Sequence, residues 1–597
     1  MTAATGSGEA SAADEFPLYV LRDYALIADG ERGAVIGPRG DMVWMCAPRW
    51  DSDALFATLI GGDGVYAVRP ADRFVWGGYY EDGSLIWHSR WVTGSGITEC
   101  HEALACPATP ESLTVLRRVS ALQGPARVRA VLDPCAGFGR YGLRAAHRGD
   151  DGVWSARSGD LYLRWSGDVA GAVVTRTGRH SRLELALDVP AGETRDLVLE
   201  VSTTRPAEGP PDPGRLWHVT REHWAPPSLS ETLAPRDARH SLVVLRGLTS
   251  TAGGMVAAAT TSLPERADQG RNYDYRYAWI RDQSYAGQAA AAAGAWPVLD
   301  DAVRFVTARL HADGPRLAPA YTVDGAPVPD QRELNLPGYP GGFDIVGNHV
   351  NQQFQLDGLG ESLLLLAAAA RHGRLDTDGW RAAQIATEAV EKRWQEDDAG
   401  IWELDNRAWT HSRLNAAAGL RAMARECDSQ PEATNWAALA DVIVASTASE
   451  AVHPSGRWQR SPADAGNDAA LLIPAIRSAL AADDPRTVAT LDGYLNELTQ
   501  DGYAYRFRHD ERPLGEAEGA FLLCGFMVAL ALHQQGREVE AARWFERTRG
   551  AAGAPGLFSE EYDVTERQLR GNLPQAFVHA LMLEAAARLA ADWRETG

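Results

Sequence analysis

The chain has 597 residues, 45% hydrophobic and 23% charged, with a formal net charge of −21. That length exceeds one ordinary core, so two or three domains are expected, and the composition is that of a soluble globular protein. The negative field and the lack of a Lys/Arg cluster argue against nucleic acid and anionic membranes and favour a neutral small-molecule partner; nothing in the sequence sets an oligomeric state.

Residues 1–17 are small and acidic, with no basic or apolar leader pattern, and read as a disordered tail. Residues 18–215 read as short strands separated by Gly, Pro and Asp. Examples are Ala34–Ile36, Met42–Met45, Arg127–Leu132, Leu161–Trp165 and Leu183–Leu187, a pattern that predicts an antiparallel β-sandwich. A Pro-rich break at 206–213 ends that texture, and 216–250 carries a helical pattern expected to link two halves. Within 251–597 about eleven Ala/Leu-rich stretches predict helices, among them 284–293, 298–310, 350–371, 412–426, 468–480, 517–534 and 575–591. No fixed-period repeat is visible, so a closed double ring of helices is expected rather than an open solenoid. The longest apolar run, Ala520 to Leu532, falls short of the roughly 18 residues that cross a membrane.

Six cysteines without a CxxC read as reduced core thiols, and cytoplasm is the default location. Cys100, His101 and Cys106 lie close together, but no second ligand pair follows at zinc-like spacing, so neither metal nor cofactor is expected. Gly137 to Gly142 matches GxGxxG in a β-like neighbourhood with no helix to follow, so a dinucleotide site is not expected.

The loops of the helical half carry the candidate chemistry. Tyr273 to Asp282 packs four aromatics, two arginines and two aspartates into ten residues. Sugars present apolar C–H faces and many hydroxyls, so platforms such as Tyr275 and Trp279 beside Arg281 and Asp282 suit a pyranose. In Ile401-Trp402-Glu403, an aromatic neighbour would desolvate a carboxyl that has to donate a proton near neutral pH. In Ser559-Glu560-Glu561-Tyr562, a buried carboxylate could take a proton from water. Glycoside hydrolysis needs such a pair on opposite faces of the sugar. His349, His411 and His579 read as hydrogen-bonding residues rather than catalysts.

Taken with Asp23 to Gly30, Met42 to Ser52, Arg271 to Tyr277, Glu518 to Cys524 and Gly571 to Phe577, these motifs make the chain resemble glycoside hydrolase family 15. The likeness is to its bacterial glucoamylase and trehalase-like branch with an N-terminal β-sandwich, and it covers residues from about Tyr24 to Leu589. The resemblance implies an (α/α)6 barrel and inverting hydrolysis of an α-glucoside, with Glu403 as general acid and Glu560 as general base. Glu561 would be the base if the register were off by one. It further implies that Arg281 and Asp282 hold the distal hydroxyls of the terminal glucose and that Tyr275 lies near the anomeric centre. An arginine of the 503–508 stretch, Arg506 or Arg508, should also serve, and Trp402 and Tyr562 complete the expected sugar contacts. In an inverting enzyme the two carboxyls stand about 6.5–9.5 Å apart, with room for a water. The chain departs from the family pattern at Leu404-Asp405-Asn406, Leu414 to Ala418 and Pro340 to Val346, which leaves the aglycone open between trehalose, isomaltose-type and maltose-type substrates. Two alternatives stand beside this reading: an inverting disaccharide phosphorylase on a similar plan, and a catalytically inactive sugar-binding protein.

Overall fold

The computed structural model describes residues 15–177, 180–206, 209–225, 228–266 and 273–593. The tail read at 1–17 therefore lies mostly outside the described residues, as does the Arg271-Asn272 part of the family motif. The end of that tail is packed, contrary to expectation. Glu15 accepts from Arg69, Arg129 and Arg182, and Phe16 is buried with Val65, Ala67 and Val131. Three guanidiniums around one carboxylate and a phenyl ring in an apolar niche outweigh the weak local propensity.

Two compact units appear. One holds the described residues of Met1–Pro226 with Glu333–Asp344 and Gly553–Pro555; the other holds those of Pro227–Arg332, Ile345–Ala552 and Gly556–Gly597. In the first unit, one sheet runs Ala25–Ala28, Gly33–Ile36, Asp41–Cys46, Val65–Pro70, Ala126–Asp133, His180–Val189 and Val173–Thr177, with Ala54–Phe56 added on the third strand. The other runs Leu143–Arg148, Trp154–Ser158, Leu161–Gly167, Thr194–Ser202, Ser112–Gln123, Ile97–Leu104, Trp87–Thr93 and Phe74–Tyr80. Each printed pairing is antiparallel, as in Leu163↔Val201 and Val128↔Leu187. Alternate residues of both sheets, among them Tyr66, Trp91, Val115, Trp165 and Leu183, form one core. The indole of Trp165 donates to the Tyr66 hydroxyl at 3.1 Å across the two layers. The GxGxxG match is a tight turn, with Gly137, Phe138 and Gly139 at positive φ, and it enters a strand. Cys100 and Cys106 donate to backbone carbonyls, while His101 stacks on His88 at 3.7 Å, so the three residues weighed as ligands do not converge.

The stretch read as one linker, 216–250, is divided. Helix α1 (Pro213–His223) belongs to the first unit, and α2 (Pro235–Leu248) packs on the last barrel helix. The barrel continues through α3 (Ile280–Ala293), α4 (Trp296–Asp313), α5 (Leu356–Arg371), α6 (Thr377–Arg393), α7 (Thr410–Glu426) and α8 (Gln430–Glu450). It ends with α9 (Ile473–Ile476), α10 (Pro485–Glu497), α11 (Leu522–Gln534), α12 (Glu538–Arg549) and α13 (Ala576–Arg588). Among the described residues α3, α5, α7, α9, α11 and α13 each pack on the next, and α13 returns to α3. The even-numbered helices lie outside them. This is a closed (α/α)6 barrel. Its chemistry explains the layering: α3, α11 and α13 are buried on nearly every face and are rich in Ala and Leu, whereas the outer α6 and α12 bury one stripe.

Candidate active site

The inner helices begin at one end of the barrel, and their first residues supply the site. Arg281 and Asp282 open α3, Asp357 opens α5, His411 opens α7, Phe521 precedes α11 and Phe577 follows the first residue of α13. Helix N-termini carry partial positive charge, which favours carboxylates there. Arg281 donates from Nε to Asp282 at 3.1 Å and from a terminal nitrogen to the Ile401 carbonyl at 2.7 Å, and lies 3.8 Å from Glu403. It thereby ties the start of α3 to the loop of the candidate acid. Burial pushes Asp282 up to about 6 despite Arg281, and Asp357 up to about 7. Burial, then Arg281, pulls His411 down to about 3, so it is a neutral imidazole, in keeping with a non-catalytic role.

Glu403 sits at φ 55° at the end of a turn that Gly400, also at positive φ, initiates. Its amide donates to the Gly400 carbonyl at 3.1 Å, and Asp398 accepts from the amides of Gly400 and Leu356 and from the Ser412 hydroxyl. A non-glycine residue in this region stores strain of about 1–3 kcal/mol, which the surrounding bonds must outweigh. Trp279 Nε1 donates to Glu403 Oε1 at 2.7 Å. The expected partner, Trp402, instead directs its indole N–H to Asp468 at 2.8 Å and its ring edge-to-face onto Phe521. The aromatic hydrogen-bonded to Glu403 therefore comes from the α3 loop and not from the adjacent residue, because strained φ at Glu403 turns consecutive side chains apart. Trp402, Leu404, His411, Arg460 and Asp468 line a cavity of about 280 Å³ beside that loop.

Glu560 is 6% exposed, against 26% for the Glu403 side chain. The Tyr275 hydroxyl lies 3.4 Å from Glu560 and 3.4 Å from a carboxylate that sequence reasoning missed, Glu265. Burial raises the Tyr275 phenol, and Glu560, Glu265 and Glu403 raise it further in that order. The phenol thus feels both candidate catalytic groups. The ring of Tyr275 meets Trp279 edge-to-face at 5.5 Å and stacks on Tyr273 at 6.1 Å. One aromatic corner therefore joins Glu560, through Tyr275, to Glu403, through Trp279.

The Glu560 main chain is held on both sides. The Phe558 amide donates to His579, its carbonyl accepts from Gln575, and the Glu560 carbonyl accepts from Leu522. Glu561 faces the other way in the strand Glu561–Asp563. It accepts from the Gly519 amide at 2.8 Å, while Tyr562 stacks on Tyr503 at 5.1 Å. Neither shares the corner formed by Tyr275 and Trp279. Of the two arginines left open, Arg506 is inward: it pairs with Glu518 and lies over Phe521, 4.3 Å from the ring centroid. Arg508 is exposed and donates to the Arg512 carbonyl. The missed side chains, Glu265, Phe521, Phe577 and Asp357, occur in sequence as ordinary loop or helix-start residues, and no spacing marks them.

The three departures from the family pattern fall in different places. Leu414 to Ala418 are buried inside α7, where Asn415 reaches the Asp357 carbonyl and Glu361, so they pack the barrel rather than shape an aglycone loop. Pro340 to Asp344 belong to the first unit, where Asp344 accepts from the Leu334 and Leu336 amides. Leu404 alone lines the cavity beside Trp402.

The model of the family described as glycosyl hydrolases family 15 matches residues 242–587, and that described as trehalase-like, N-terminal, matches 19–205. The chain belongs to glycosyl hydrolase family 15. Its relatives within that grouping include a trehalase of Mycobacterium tuberculosis, 28% identical over 96% of this chain and 90% of the relative. Trehalase 1 of Sulfolobus acidocaldarius is 27% identical over 95% and 98%. A crystal structure of a bacterial glucoamylase complexed with acarbose superposes with a TM-score of 0.71 at 14% identity, covering 95% of this chain and 94% of that one, which shows a shared fold. This family 15 member is accordingly a glycoside hydrolase, and its sandwich and barrel are both matched along their length.

Proposed function

We propose that the chain is an exo-acting, inverting hydrolase of short α-glucosides, with trehalose the leading substrate. The observation that carries this is the aromatic corner at which Trp279 holds Glu403 and Tyr275 meets Glu560. Glu403, the more exposed of the two, protonates the glycosidic oxygen as its bond to the anomeric carbon breaks. Glu560, buried beside Tyr275, takes a proton from the water whose oxygen bonds that carbon. Arg281 and Asp282 hold the distal hydroxyls, and Arg506 serves the same pocket. The trehalase names of full-length relatives favour trehalose over a polymer, and the cavity beside Trp402 offers space for the second sugar. Six free cysteines accord with a reducing compartment, and among the described residues no helix is long and apolar enough to cross a membrane.

The test is a panel of trehalose, isomaltose, maltose and longer glucans, read by NMR for the anomer first released. Inversion of trehalose yields one β- and one α-glucose per turnover; two α-glucoses would sink the mechanism. Glu403→Gln and Glu560→Gln should each cut turnover by about 100- to 10,000-fold. Near-normal rates in either variant would reassign its role.

A further inference from the structure

The assignment of Glu560 as base leaves a second buried carboxylate beside it without a role. Glu265 is 5% exposed and hydrogen-bonds to Glu560, and the Tyr275 hydroxyl stands 3.4 Å from both. The backbone fixes this meeting. The Gly571 amide donates to the Pro264 carbonyl at 2.8 Å, immediately before Glu265. Gly571 also follows the strand Gln568–Arg570, which pairs with Glu561–Asp563, immediately after Glu560. Gly571 has φ 82°, and a Cβ there would lie 3.5 Å from both Glu265 Cγ and Glu560 Cβ. The two side chains thus converge over a glycine.

An ionised carboxylate only accepts hydrogen bonds, so two carboxylates in hydrogen-bond contact require a proton between them. Like charges in a shared buried site also cannot both ionise freely. The groups facing Glu560 are Glu265, Tyr275, Glu561 and Arg506. The one cation among them is already paired with Glu518, which also binds His509. Nothing there offsets two further negative charges. Burial and then Glu265 raise Glu560 well above the usual carboxylate range.

We propose that Glu265 and Glu560 hold one proton between them and that Glu265 is its owner, a positioning residue that donates to the base and fixes its charge. The inference rests on Glu560 being the base, since that role needs its electron pair free. During turnover Glu560 receives the proton of the attacking water, Glu403 gives its own to the departing oxygen, and the Glu265 proton stays in place. Solvent then restores both catalytic groups.

The pH profile of kcat/KM for trehalose hydrolysis separates the possibilities, because its acid limb reports ionisation of the base in the free enzyme. Glu265→Gln keeps a neutral donor, so the acid limb should stay within about half a pH unit and kcat within about tenfold. Glu265→Leu removes the donor and leaves the carboxylate buried, so the limb should rise by about one unit or more. A limb that falls by about a unit in Glu265→Gln would mean that Glu265 is charged at the working pH, and would overturn the proposal. So would wild-type profiles in both variants, or a Glu265→Gln enzyme as inactive as Glu560→Gln. A difference infrared spectrum between wild type and Glu265→Gln adds a readout independent of turnover. The carbonyl stretch of a protonated carboxylic acid should be present in wild type and lost in the variant, and its absence from wild type at neutral pH overturns the pair. If Glu560→Gln proves active, the assignment of the base fails while the infrared band still decides the shared proton.

Discussion

At the scale of single residues, the site depends on which atoms face one another, and sequence conveys that unevenly. Arg281, Asp282 and Tyr275 are legible because three functional side chains crowd the same short loop at a helix start. Trp402 misleads because adjacency in the chain is not adjacency in space: the turn at Glu403 sends its indole to Asp468 and leaves Trp279 to bind the acid. Glu265 was invisible because its importance arises only when Gly571 brings its loop against Glu560. Tyr275→Phe removes the one hydroxyl that touches both Glu265 and Glu560. A hydrogen bond to a charged group contributes about 1.5–3 kcal/mol, so kcat should fall by about 10- to 100-fold with KM little changed, as steady-state kinetics on trehalose would show. An unchanged kcat would make the phenol a packing group only.

At the scale of elements, periodicity located the barrel helices well, since an inner helix must be apolar nearly all round and Ala/Leu runs announce it. The weakest expectation was 468–480. There the chain forms a 3-10 turn, Ala469–Leu472, and the short α9, because Pro474 lies within it and Arg477 is drawn into a buried pair. Arg477 binds Glu584 of α13 through both terminal nitrogens, and Arg588 adds a third contact to the same carboxylate. Burial pushes Glu584 up, but Arg477 and Arg588 outweigh it and hold it near about 2. Its folded value is depressed, so its stabilisation is complete above about 4.5 and lost as pH falls toward about 2. Glu584→Gln leaves a buried guanidinium half-paired and should cost about 3–5 kcal/mol, measured by denaturant melts at neutral pH. The difference from wild type should shrink at low pH; a constant difference would assign the cost to packing instead.

At the scale of the molecule, buried acids of opposite tendency set how stability varies with pH. Burial lifts Asp41 and Asp357 to about 7 and Asp398 to about 8, with Asp357 adding to the last. Each has a raised folded value, so the native state binds more protons than the unfolded chain, and stability falls as pH climbs from about 4 to 8. Glu584 acts in the reverse sense below about 4.5. Thermal melts should therefore peak near pH 4–5 and decline toward pH 8. A maximum at or above pH 7 would mean that these carboxyls are ionised in the native protein.

The passage of Glu333–Asp344 out of the helical half has its own consequence. Gly338 donates to the Ile60 carbonyl and Tyr339 to the Tyr19 carbonyl, so the β-rich half is completed by chain encoded in the middle of its neighbour. A single genetic crossover cannot exchange one half for a homologue's without also carrying a dozen or so residues from within the other. Chimeras joined near residue 226 should therefore express poorly unless that excursion is transplanted too, which yields of soluble protein from paired hybrids would reveal. Shuffling by whole halves is thus a closed route for this architecture, and its two parts must change in step.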